Sequence, residues 1–231
     1  MQLKTPINKH TLRHHLQYNA WKYAVLVVVS IFLWDIIYTT TAYRPPQDKR
    51  VDIYIQSSTA DSARVDTVLE EIRAQALPEL EVINTAFLFG GGGQADMVTA
   101  QQLMTYIMAQ EGDLYFLRSE DYKQYAAQGV FLDLEPLISQ GRLDAHDIDL
   151  TSGYVATQQY DESAQQMVTT STRRLYGIPA ATLPGFASEL NIDHRDLFLA
   201  VTVYNDNDEN VLRFLDELIA RMRISDSKEV P

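Results

Sequence analysis

The chain of 231 residues carries 19 Lys+Arg against 31 Asp+Glu and no cysteine, which excludes a disulfide framework, a thiolate metal site, a cysteine nucleophile and a lipid-modified cysteine anchor. Four of the cations (Lys4, Lys9, Arg13, Lys22) and one of the anions (Asp35) precede residue 44, so the remainder holds 15 Lys+Arg against 30 Asp+Glu, a net charge of −15. That balance excludes binding to nucleic acid through its phosphates and argues against lying flat on an anionic membrane.

Residues 1–20 form a basic segment without a single acidic side chain. His10, His14 and His15 lie in it among Leu12, Leu16 and the cations, and with no carboxylate or cysteine nearby they read as part of a solvated helix beside the membrane, not as metal ligands. The span follows at 21–43, and between Lys22 and Arg44 its only charge is Asp35. Twenty-one helical residues from Tyr23 to Tyr43 reach about 31 Å, the thickness of a hydrocarbon core. The positive-inside rule then places the N-terminus in the cytoplasm and the rest of the chain outside. Trp21, Tyr23, Trp34, Tyr38 and Tyr43 mark the two headgroup layers, and Asp35 falls toward the outer edge, where a carboxylate reaches water. A cleaved signal peptide is the alternative, since Thr40-Thr41-Ala42 resembles a small-residue cleavage site. The long basic region and the apolar run through Ile36, Ile37 and Tyr38 point to an anchor.

Residues 44–50, with Pro45-Pro46, read as a short stalk. The domain at 51–224 opens with an alternating strand, Val51–Ile55, and a helix whose apolar positions are Val65, Val68, Leu69 and Ile72, ended by Pro78. A second strand, Val82–Phe89, runs into the glycines 90–93, and Leu103, Met104, Ile107 and Met108 predict an apolar stripe on a second helix. Asp113–Leu117 is a third strand, and a third helix starts at Ser119 and ends at Gly129. Three strand–helix units in succession predict an α/β fold, a single doubly wound domain with a mainly parallel sheet whose ligands meet the C-terminal ends of the strands. The stretch from Ser139 to Thr172 is weakly periodic and predicts loop; Leu197–Val203 is a buried strand, Glu209–Met222 an amphipathic helix, and 225–231 a frayed tail.

The glycine run lacks the Lys-Ser/Thr of a phosphate loop, since Gln94-Ala95-Asp96 follows it, and reads as a flexible strand-to-helix turn. A calcium loop starting at Asp206 would place Val211 where glycine is required and its twelfth ligand, Glu217, inside a helix, so the Asn/Asp run from Asn205 reads as a helix cap. No nucleophile elbow and no metal-binding helix pattern occurs, and His146 and His194 read as exposed loop histidines. The expectation is a non-enzyme without cofactor or metal.

Gly90–Asp96, Asp113–Leu117, Tyr125–Leu134, Tyr176–Pro179 and Asn205–Ile219 together resemble bacterial extracellular solute-binding proteins of ABC importers, over most of 51–222. The resemblance implies a periplasmic-binding-protein-like lobe made of the N-terminal strand–helix units plus the returning strand and helix. Only about twenty residues separate Tyr176–Pro179 from that returning strand, so most of the second lobe is missing. It also implies a small polar solute held at Ser57, Ser58, Gly91, Gly92, Arg118 and Tyr176, with a membrane-protein partner such as a transporter permease. Against it stands an anchored interaction or sensor domain that no longer binds a solute.

Overall fold

The computed structural model describes residues 9–41, 43, 45–90, 93–161, 166–204 and 208–223, and the chain falls into two compact units, Met1–Arg44 and Pro45–Pro231. The Asn205–Asn207 part of the proposed cap lies outside the described residues.

Among the described residues, the first unit holds one helix, α1 (Lys9–Thr41). Its segment Ala20–Thr41, 22 residues of mean hydropathy 1.9, is long and apolar enough to cross a membrane, a property that signal sequences near an N-terminus share. Every side chain from Ala20 to Thr41 is exposed, so the helix is apolar on all sides and has no core of its own to bury. Ser30 donates to the Leu26 carbonyl at 2.8 Å and Thr41 to that of Ile37 at 2.6 Å, back-bonds to the preceding turn of the helix.

The second unit is built on β1 (Arg50–Gln56), α2 (Ser62–Ala76), β2 (Val82–Leu88), α3 (Gln94–Met108), β3 (Leu114–Arg118) and α4 (Ser119–Ala127). After a short α5 (Glu135–Ser139) come β4 (Tyr154–Asp161), β5 (Gln166–Leu175), β6 (Ile178–Pro179), α6 (Gly185–Ser188), β7 (Leu197–Val201) and α7 (Asp208–Met222). One five-stranded sheet has the order β2-β1-β3-β7-β6; β1 runs parallel to β2 and β3, while β7 is antiparallel to both β3 and β6. The sheet is therefore mostly parallel with one reversed strand.

Period-two alternation splits the core between the two faces. Val51, Ile53 and Ile55 of β1, Leu114 and Phe116 of β3, and Leu197, Leu199 and Val201 of β7 join an aliphatic cluster with Val65, Leu69 and Ile72 of α2 and Val211, Phe214, Leu215 and Leu218 of α7. The alternate positions, Tyr54, Tyr115, Leu117, Phe198 and Ala200, join Leu103 and Ile107 of α3 and Tyr122 and Tyr125 of α4 in an aromatic cluster. Tyr122 stacks on Phe198 at 4.5 Å between ring centroids, and its hydroxyl donates to the Gly153 carbonyl at 2.5 Å. Helices thus cover both faces, as a doubly wound layer requires.

Two expectations change. Of these four α3 residues only Leu103 and Ile107 are buried, while Met104 and Met108 are 56% and 74% exposed. One residue along a helix turns the side chain by about 100°, which separates the two pairs onto different faces. The stretch from Ser139 to Thr172 is not all loop: β4 and β5 pair antiparallel, from Tyr154↔Leu175 to Asp161↔Gln166. These strands carry Thr and Gln where a buried face would alternate apolar residues, so the hydrophobic period is missing; their β-branched content, Val155, Thr157, Thr169 and Thr172 among others, was the signal.

Candidate functional site

At the C-terminal edge of the sheet, β1 ends in Gln56, a buried side chain bonded at both ends: its Nε2 donates to Asp121 Oδ2 at 2.6 Å and its Oε1 accepts from the Arg118 backbone N–H at 2.9 Å. It pins the end of β3 and the first turn of α4 to β1. The next residue, Ser57, is also buried, and its Oγ accepts from the N–H groups of Thr59 at 3.2 Å and Ala60 at 3.1 Å, shaping the turn into α2. Asp61 then caps α2 by accepting from the Arg64 N–H at 3.3 Å. Ser58 is exposed, and the Arg118 guanidinium, about half exposed, lies 3.5 Å from Asp96 of α3.

Ser57, Ser58 and Arg118 are therefore brought together, with Gln56 and Gly90, around a notch of about 30 Å³. Gly91 and Gly92 lie outside the described residues. Tyr176 is elsewhere. It is buried in the aromatic cluster with Tyr122, Phe131 and Phe198. It precedes β6, which lies beyond β7 in the sheet order, whereas Arg118 ends β3. The notch holds about one water, and Gln56, Ser57 and Arg118 already have partners within the protein.

A larger cavity, of about 430 Å³, opens where β1 and β3 begin, beside the C-terminal end of α3. Its principal side chains are Arg50, Asp52, Tyr54, Asn84, Gln110 and Glu111. Asn84 donates to Asp52 at 2.7 Å, Arg50 lies 3.2 Å from the same carboxylate, and the Asp52 N–H donates to Asp113 at 2.7 Å. The Tyr54 ring stacks on Tyr115 at 4.9 Å, and its hydroxyl donates to Glu111 at 3.2 Å. Burial, then the Glu111 charge, push the Tyr54 phenol well above its ordinary range, so it stays a neutral donor. Sequence reasoning missed this cavity because it is drawn from three separate stretches; the one local signal was the turn Gln110–Asp113, where Gln110 and Gly112 take φ of 55° and 84°. Among the described residues no three His, Cys, Asp or Glu side chains are grouped to share a metal ion. His146 is exposed and pairs with Asp147 at 2.7 Å.

No protein-family profile matches the chain, and no curated protein does. Among solved structures, it is similar to an ABC substrate-binding protein from Listeria monocytogenes in complex with cycloalternan, at 20% identity and a TM-score of 0.36, over 55% of this chain and 28% of that one. It is also similar to an extracellular solute-binding protein, family 1, from Alicyclobacillus acidocaldarius, at 20% identity and a TM-score of 0.36, over 59% of this chain and 29% of the other. A third is the galacto-N-biose/lacto-N-biose I-binding protein of an ABC transporter from Bifidobacterium longum, at 14% identity and a TM-score of 0.32, over 59% and 29%. The chain spans less than a third of the length of these proteins.

Proposed function

We propose that this chain is a membrane-anchored interaction or sensor domain, held outside the cytoplasm and built on a single solute-binding-protein-like lobe, which works by protein contact and not by closing on a solute. No catalytic step belongs to this reading. The observation that carries it is the size of the notch at the strand ends, about 30 Å³, where sites that enclose small molecules measure roughly 300–1,000 Å³. A membrane protein such as a transporter permease is the partner that the family resemblance implies.

The second reading keeps a solute. The 430 Å³ cavity beside Tyr54 and Asp52 is of ligand size and lined by hydrogen-bonding groups, and a small polar molecule fits its chemistry. A thermal-shift screen of the Pro45–Pro231 unit against sugars, amino acids, peptides and cations separates the two. A ligand at a hundred times its Kd adds about 2.7 kcal/mol and raises Tm by several degrees. The interaction reading expects a flat screen together with co-purification of a membrane protein; a shift abolished by Asn84→Ala would establish the cavity reading in its place.

Topology is checked separately. Protease added to intact cells removes the domain if it lies outside, whereas a protected C-terminal tag overturns that placement. A mature protein beginning near Tyr43 would replace the anchor by a cleaved signal.

A further inference from the structure

Where β3, β1 and β2 begin, Asp113, Asp52 and Asn84 stand in a row. Asp52 is opposite Asn84 in the β1–β2 register. On its other side the Asp52 N–H donates to the Asp113 carboxylate at 2.7 Å, and the Asp113 N–H donates to the Asp52 carbonyl at 2.9 Å. Asp52 precedes Tyr54 by two residues and so shares its face of the sheet, the one that α3 covers. The end of α3 supplies the opposite wall of the 430 Å³ cavity through Ala109, Gln110 and Glu111. That end is fixed: Gln110 and Glu111 donate to the carbonyls of Ile107 and Tyr106, both at 3.0 Å, with Gln110 at φ 55°.

The charges around this space have one dominant sign. The lining holds one cation, Arg50, and three anions, Asp52, Glu111 and Asp113, the last only 5% exposed. The helix end adds to them, since a helix carries about half a negative elementary charge at its C-terminus. In the last turn of α2 stands Arg73 and in that of α7 Arg221, whereas the last turn of α3 has no basic residue. Side-chain charge and helix direction are independent of one another, and both give a negative potential in a space of ligand size.

We infer that this cavity binds a small organic cation, an alkylammonium or alkylguanidinium, an inference that deepens the solute reading of the cavity and rests on it. The N–H donors of such a group form charge-assisted bonds to carboxylates, and its charge offsets both the carboxylate excess and the helix end. A polyol meets the same acceptors but leaves that charge as it is, and an anion is repelled. A bare metal ion suits the site poorly, because among the described residues no three His, Cys, Asp or Glu side chains are grouped to share one. The site needs no second lobe, since its walls come from one lobe, at the edge of the sheet opposite the strand-end notch. Its acceptors are held before a ligand arrives, Asp113 by the β1 backbone and Glu111 by the Tyr54 hydroxyl, which lowers the ordering cost of binding.

Calorimetric titration of the full-length chain in a non-ionic detergent tests this with agmatine, glucose and glutarate as cationic, neutral and anionic probes. Agmatine is expected to bind roughly tenfold tighter than glucose, and glutarate not at all. Glu111→Gln keeps the shape of the side chain, removes its charge and should weaken agmatine roughly tenfold. Ala109→Lys brings a cation to the end of α3; it should weaken agmatine by a similar factor with the unfolding midpoint unchanged or higher, which separates competition from misfolding. Glu217→Gln, on α7, removes the same charge away from the cavity and should leave the affinity in place. Equal losses in Glu111→Gln and Glu217→Gln would mean diffuse attraction to an acidic surface and overturn the inference. Glucose bound as tightly as agmatine, and lost in Asn84→Ala, overturns the cation as ligand but leaves the solute reading standing. Binding of none of the probes removes that reading and the inference with it.

Discussion

Gly112→Ala lowers the stability of the second unit by about 2–4 kcal/mol, the sum of a backbone and a steric cost. The residue sits at φ +84°, a conformation that costs an L side chain about 1 kcal/mol or more. A Cβ there would stand 2.5 Å from two carbons of the Tyr54 ring and 3.0 Å from the Tyr115 ring. Those rings stack on one another, so neither yields without disturbing the other. The backbone is held as well: the Gly112 carbonyl accepts from Thr202 Oγ1 at 2.8 Å, and the Asp113 N–H donates to the Asp52 carbonyl at 2.9 Å. Gly129 supplies the control, since its φ is +76° and nothing lies within 4 Å of its added Cβ. Gly129→Ala should cost only the backbone part, about 1 kcal/mol. Urea midpoints of the two variants measure the difference, and equal losses at both positions would remove the clash from the account.

Gln56→Ala should cost about 2 kcal/mol and leave any ligand response unchanged. The substitution removes the bond to the Asp121 carboxylate and deprives the Arg118 N–H of its acceptor, loosening the junction of β1, β3 and α4. Its position at the C-terminal edge makes Gln56 look like a ligand contact, whereas its two bonds make it a brace. A variant as stable as the parent, with an altered response to a solute, would return the strand-end edge to a binding role. Chemical denaturation and the solute screen, run on the same sample, decide between these outcomes.

Much of the layer was legible in the sequence because its strands alternate and its helices repeat at a fixed period. Val65, Val68, Leu69 and Ile72 are buried as their spacing predicts, and of the strand expected over Leu197–Val203 the five residues Leu197 to Val201 form it and are buried, while Val203 is 47% exposed. The α3 stripe was half legible, since four apolar residues in adjacent pairs cannot all face one sheet, and pattern alone does not say which pair wins. The β4–β5 pair escaped because its sequence carries Thr and Gln where a buried face would alternate apolar residues. For the candidate site, chain order located the strand ends and so brought Ser57 and Arg118 together, but it could not show that Ser57 and Gln56 spend their polar atoms inside the protein. Tyr176 was placed at the edge by resemblance alone and belongs to the interior. The 430 Å³ cavity depends on the register of β1 against β2 and β3, a long-range property that no local stretch encodes.

The division of aromatic residues between the two units has an optical consequence. Both tryptophans of the chain, Trp21 and Trp34, lie in α1, while the stacked rings of Tyr54, Tyr115 and Tyr122 lie in the sheet unit. Indole emission therefore reports only on the surroundings of the apolar helix, whereas the phenol signal is weighted toward the second unit, since only Tyr18, Tyr23, Tyr38 and Tyr43 of the 13 tyrosines precede it. A single unlabelled sample can thus follow a change of surroundings at the helix through its indoles while unfolding of the sheet unit is read from the tyrosine-weighted signal.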